Sequence, residues 1–159
     1  HWGNEYQSLP SREQRQLADW LLEQGVTHII GSHPHVIQPM ELRTDSITGA
    51  QHAVVYSLGN FISNMSKVNT DGGLIFTLEL EKDTTTSTSP QVRVQRCGYN
   101  FVWTARPNFT KEKNYVLYPT DSTSISKLPE AARNHLNIFV KNSRKLLHQH
   151  NIGIKENKK

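Results

Sequence analysis

Residues 26–35 read VTHIIGSHPH. The first five are apolar or β-branched except for one histidine, and with Gly25 and Gly31 on either side they predict a short buried strand. The next five place His33 and His35 on either side of Pro34, behind Gly31 and Ser32. A strand running into a turn that carries polar side chains is where open α/β sheets bind ligands, at the strand's C-terminal end. Pro34 predicts extended backbone at His33. Gly31 predicts a sharp bend with room for a ligand beside the main chain. Two imidazoles two positions apart in a stiff turn can aim at neighbouring points in space. That suits two metal ions about 3.5–4 Å apart better than one shared ion. H-x-H is also a short and common pattern, so on spacing alone two readings stand: a tight turn that carries imidazoles, and half of a metal site.

Toward the N-terminus, residues 11–24 (SREQRQLADWLLEQ) predict a helix. Ser11 and Gln14 have capping-box spacing, with Pro10 just before them. Leu17, Ala18, Leu21 and Leu22 form one apolar stripe at helical period, and Gly25 suits the stop. Toward the C-terminus, MELR (40–43) reads as extended and TDSITGAQ (44–51) as a polar turn. HAVVYSLGNF (52–61) holds a second buried strand at 53–57, followed by a glycine turn. LIFTLELE (74–81) and QVRVQRC (91–97) alternate apolar with polar, as half-exposed strands do, and YNFVWT (99–104) continues the second. DTTTSTSP (83–90) reads as a polar connection between them, and PNFTKEKNY (107–115) as irregular. Residues 128–151 predict a long helix with Pro129 in its first turn and Leu136, Phe139, Val140, Leu146 and Leu147 on its apolar side. The order is α/β grading into antiparallel β, with no internal repeat.

The 159 residues suffice for one domain with its own core. The net charge is +4, and half of it comes from Lys155, Lys158 and Lys159 set against Glu156, read as a frayed tail. No stripe interleaves basic with aromatic residues, so nucleic acid is not an expected partner. The one cysteine, Cys97, excludes an internal disulfide and a thiolate metal cluster. No apolar run has the length to cross a bilayer.

The residues that could do chemistry are His1 and Glu5 in HWGNEY (1–6), Ser32, His33 and His35 in GSHPH (31–35), and Asn60 in SLGNF (57–61). Imidazole nitrogen binds zinc, manganese and iron without thiolates. Asn60 beside Gly59 is also ordinary turn chemistry, and Glu5 also reads as a solvated carboxylate. His28 reads as a core or strand-edge histidine. His52, His135, His148 and His150 read as solvated.

HWGNEY, then PSREQRQLADWLLEQGVTHIIGSHPHVIQPMEL, then VVYSLGNF, in that order, resemble the CapA family of poly-γ-glutamate capsule biosynthesis proteins. That family looks like a branch of the calcineurin-like metallophosphoesterases. The resemblance is dense to about Phe61 and thins beyond residue 64. It implies the C-terminal half of a metallophosphoesterase-like α/β/β/α two-sheet sandwich, with a C-terminal helix. Residues 1–104 would be a partial domain of that type, and 105–159 an extension with the long helix and basic tail.

By the same resemblance, His1 and His33 match ligands of one metal and His35 a ligand of the other. Glu5 matches a catalytic-site glutamate that holds a ligand histidine, a water or the substrate. Asn60 and Ser32 match positions that shape the site or touch substrate. The cofactors implied are two divalent ions, manganese, zinc or iron. The carboxylates that bridge two metals belong to motifs ahead of the His1 position. The chain by itself is therefore expected to bind metal weakly and to be inactive. The function implied is capsule biosynthesis through a metal-dependent hydrolase of an anionic polymer or phosphoester, working with the capsule synthesis machinery. The alternative is a non-catalytic assembly or export role with a vestigial site. The resemblance also implies an extracytoplasmic, cell-surface location, with membrane attachment only through a segment ahead of His1.

Overall fold

The computed structural model describes residues 1–83, 91–120 and 122–157. Most of the polar connection read at 83–90 lies outside these residues. The chain is α/β, with two sheets and a long C-terminal helix.

Helix α1 spans Arg12–Glu23, and its start is the capping box read from the sequence. The Ser11 hydroxyl accepts from the Gln14 backbone N–H at 3.2 Å, and the Gln14 side chain accepts from the Ser11 N–H at 3.0 Å. Gly25 follows the helix with φ +90°, a conformation that favours glycine. Ala18 is fully buried, whereas Leu17 is exposed, so the apolar stripe is narrower than its sequence suggests.

The first sheet has the order β1-β3-β2: β1 (Ile29–Ile30), β2 (Met40–Thr44) and β3 (Gln51–Val55). β1 runs parallel to β3, and β2 antiparallel to it. The strand expected over 26–30 is thus only its last two residues. Two histidine side chains account for the difference. The His28 Nδ1 accepts the Ala53 backbone N–H at 3.1 Å, and the His52 Nδ1–H donates to the Thr27 carbonyl at 3.0 Å. Side chains therefore take backbone groups that a longer ladder would use.

The second sheet is built on a long antiparallel pair, β4 (Gly72–Asp83) and β5 (Gln91–Ala105). β6 (Val116–Pro119) and β7 (Lys155–Glu156) also pair with β5. Short helices α2 (Pro107–Thr110) and α3 (Ser122–Ser126) flank β6, and α2 lies within the stretch 107–115 read as irregular. α4 runs Glu130–His150, with Pro129 as its N-cap rather than in its first turn.

The centre of the first sheet is covered on both faces, while Ile30, Thr44 and Gln51 are exposed. Val54 and Tyr56 face Ala18 of α1 in one cluster. Met40 and Val55 face the main core, which also holds Phe101 and Trp103 of β5 and Leu136 and Phe139 of α4. Gly72 has no alternative in this core, because a Cβ there would overlap the Phe139 ring and the Val102 carbonyl. Of the residues read as a frayed tail, Lys155 and Glu156 are held: β7 pairs with β5, and Arg144 grips the Glu156 carboxylate with two bonds of 2.8 and 2.7 Å. Cys97 is half-buried, and burial pushes its thiol pKa up, so it stays protonated at neutral pH. Among the described residues, no helix is long and apolar enough to cross a membrane.

Candidate metal centre

The site forms where the first residues of the chain meet the turn after β1. The Trp2 backbone N–H donates to the Ser32 carbonyl at 3.2 Å, and the Tyr6 N–H to the Pro34 carbonyl at 2.7 Å. Two main-chain bonds therefore bind HWGNEY along GSHPH. The Trp2 indole N–H reaches across to the Tyr56 carbonyl at 2.7 Å, and its ring stacks on Tyr56. Gly31 makes that possible. A Cβ at Gly31 would fall well inside contact distance of Trp2 Nε1 and the Tyr56 oxygen. The glycine thus makes room for an indole, not for a ligand, and its φ is not in the left-handed region.

Pro34 does not hold His33 in ordinary extended backbone as expected. His33 has φ +106° and His35 φ +61°. Left-handed geometry at two histidines costs on the order of 1–3 kcal/mol each and persists only where surroundings impose it. Here the two bonds from Trp2 and Tyr6 impose it. Tyr6 itself sits at φ +65°.

The result is a convergence of donors. Ligating atoms of Glu5, His33 and His35 all lie within 4.8 Å of one another, and these three make up the candidate metal-holding cluster among the described residues. The His35 Nε2 is 3.8 Å from Glu5 Oε1. The other nitrogen of His35, Nδ1, is 3.0 Å from Asn60 Oδ1. Asn60 is buried, and its Nδ2 donates to the Thr70 carbonyl at 2.8 Å, which fixes its oxygen toward His35. An amide oxygen can only accept. Nδ1 of His35 therefore carries a proton toward Asn60, which leaves Nε2 as the nitrogen that faces Glu5. Metal-binding imidazoles are typically oriented in this way.

His1 lies with its ring against His33, centroids 4.1 Å apart, at the exposed rim and outside the three-residue cluster. Ser32 contributes its carbonyl to the loop clamp, while the residue itself is exposed. Two neighbours were not singled out from the sequence. Tyr6 stacks near His35, centroids 6.1 Å apart. Lys67 sets its ammonium 3.6 Å above the Tyr6 ring. Burial and the adjoining Glu5 carboxylate raise the Tyr6 pKa, so the phenol keeps its proton beside the cluster. Tyr6 lies inside HWGNEY and was within reach of sequence reasoning. The approach of Lys67 depends on the loop after β3, which no periodicity reveals.

The donor set fits a divalent cation of the zinc or manganese kind: one carboxylate oxygen and two imidazole nitrogens, one of them on a ring oriented through its other nitrogen. The cluster itself contains no aspartate that could bridge two ions.

Residues 1–65 match the family described as bacterial capsule synthesis protein PGA_cap, and that segment contains every residue of the cluster together with Asn60. The PGA biosynthesis protein CapA of Bacillus subtilis (strain 168) is 35% identical over 85 residues, 54% of this chain and 21% of that protein. The capsule biosynthesis protein CapA of Bacillus anthracis is 37% identical over 76 residues, 47% of this chain and 17% of that protein. No solved structure matches significantly. Residues 1–65 are thus similar to the CapA family of bacterial capsule synthesis proteins. The chain spans about a fifth of the length of these curated relatives.

Proposed function

We propose that this chain carries metal-binding residues of a capsule biosynthesis protein of the CapA type, and that the complete protein is a metal-dependent hydrolase. The observation that carries the reading is the convergence of Glu5, His33 and His35 with His35 Nδ1 held by Asn60. Glu5, His33 and His35 would hold a divalent ion. Such an ion, when bound, acidifies a water and polarises the scissile group.

The chain's own residues supply the rest. Asn60 holds His35 with Nε2 toward Glu5. The protonated Tyr6 phenol gives its hydrogen bond to Glu5 and so helps hold that carboxylate at the cluster. Lys67, over Tyr6, supplies positive charge at the rim. An anionic polymer or a phosphoester is the substrate class that such a rim favours. The names of the curated relatives support capsule biosynthesis as the process; action outside the cytoplasm with the capsule synthesis machinery is what the family resemblance implies.

The test is hydrolysis of a generic phosphodiester with manganese by a CapA-type protein carrying this segment, compared with its His33→Ala variant. Activity that disappears with chelator and in the variant is expected. Equal activity in the variant would remove these histidines from the chemistry.

A further inference from the structure

A cavity of about 420 Å³ opens beside the cluster, with Tyr6 in its wall. Its near side comes from the family segment and the loop after it: Tyr6, Lys67 and Asn69. Its far side comes from α4, through Asn142, Lys145 and Gln149. These three are spaced three and four apart and so share one helix face. Asn142 Nδ2 donates to Asn69 Oδ1 at 2.9 Å, which joins the two sides. Two lysines and several amides line the cavity, and no carboxylate does. The floor is apolar and continues from the residues directly after His35. Its volume lies within the range that binds small molecules.

We propose that this cavity is a recognition subsite for the anionic flank of the substrate. A chain whose scissile bond lies at Glu5, His33 and His35 would pass over Tyr6 and set its next charged groups between Lys67 and Lys145. α4 lies outside the matched residues 1–65, so half of this subsite belongs to the part of the chain beyond the family segment. The ligand chemistry is a short chain of repeated anions, carboxylate or phosphate, with an uncharged backbone that can lie on an apolar floor. As a substrate subsite, the assignment rests on the metal-site reading above.

Calorimetric titration with tetraglutamate, inorganic tripolyphosphate and uncharged tetraglycine tests it. The proteins compared are the wild type, Lys67→Gln, Lys145→Gln, the double variant, Lys82→Gln outside the cavity, and His33→Ala/His35→Ala. Each cavity lysine should contribute about tenfold in affinity for the preferred anion, as charge-assisted hydrogen bonds do. Lys82→Gln should bind as wild type, and tetraglycine should not bind. Whichever anion binds more tightly names the chemistry. No anion binding by the wild type, or equal weakening in Lys82→Gln, would overturn the subsite. The histidine variant separates the two claims. Anion affinity kept while zinc binding is lost would uphold both. A wild type that binds the anion but no metal would sink the metal site alone.

Discussion

Asn60 Oδ1 sits 3.0 Å from His35 Nδ1, and the same amide donates to the Thr70 carbonyl at 2.8 Å. One buried amide thus ties the orientation of the candidate ligand to the loop that leads into β4. Asn60→Ala should weaken zinc binding by about 10–100-fold, the usual effect of losing a group that orients a ligand. Zinc titration checks this, with circular dichroism to show that the fold persists. Unchanged affinity would mean that His35 is oriented by something else.

Gly31 should not tolerate a methyl group. Gly31→Ala drives a Cβ into Trp2 and the Tyr56 carbonyl, and over-packing of this kind costs about 1–3 kcal/mol. The loss should appear as a lower urea midpoint. Truncating the indole as well, in Gly31→Ala/Trp2→Ala, should cost less than the sum of the two single changes.

The pair Glu41 and Arg43 braces α1 to the first sheet. Arg43 bonds Glu41 at 2.7 Å, Asp19 at 2.6 Å and the Tyr56 hydroxyl at 3.0 Å, and Glu41 is buried. Arg43→Met leaves Glu41 with Arg15 as its remaining cationic partner, at 3.2 Å. Removing one partner of this partly buried, charge-assisted pair should cost about 1–3 kcal/mol by denaturant unfolding. Glu41→Gln/Arg43→Met should recover part of that.

His28 makes stability depend on pH. Burial, then the nearby His52, lowers its pKa below the ordinary value near 6.5. The folded state therefore binds fewer protons than the unfolded state in that window. Stability from this group is complete above pH 6.5 and falls as pH drops through the lowered folded pKa. Asn in place of His28 keeps an acceptor for the Ala53 N–H but does not titrate. Thermal melts at pH 7.5 and 5.0 should show a smaller pH effect in His28→Asn than in wild type.

The sequence was most informative where local chemistry decides the outcome. Ser11 and Gln14 announce α1, and the alternation of β4 and β5 announces the long hairpin, because each signal is satisfied by neighbours in the chain or by a repeating face. The left-handed backbone at His33 and His35 was not legible. The proline rule is a local preference, and the bonds from Trp2 and Tyr6, some thirty residues earlier in sequence, override it. β1 was over-read because His28 and His52 bond backbone groups with their rings. β7 was missed because two residues carry no period. The structure brings Glu5, His33 and His35 together and holds His35 through Asn60, while His1 stays at the rim. Tyr6 and Lys67 emerge only from the geometry of the loops.

The most direct test is a calorimetric titration of zinc and manganese into the chain, beside Glu5→Gln and His33→Ala/His35→Ala. Saturable binding that weakens in Glu5→Gln and disappears in the histidine variant is the expected result. The same heats in all three proteins would leave GSHPH as a strained turn and contradict the metal centre.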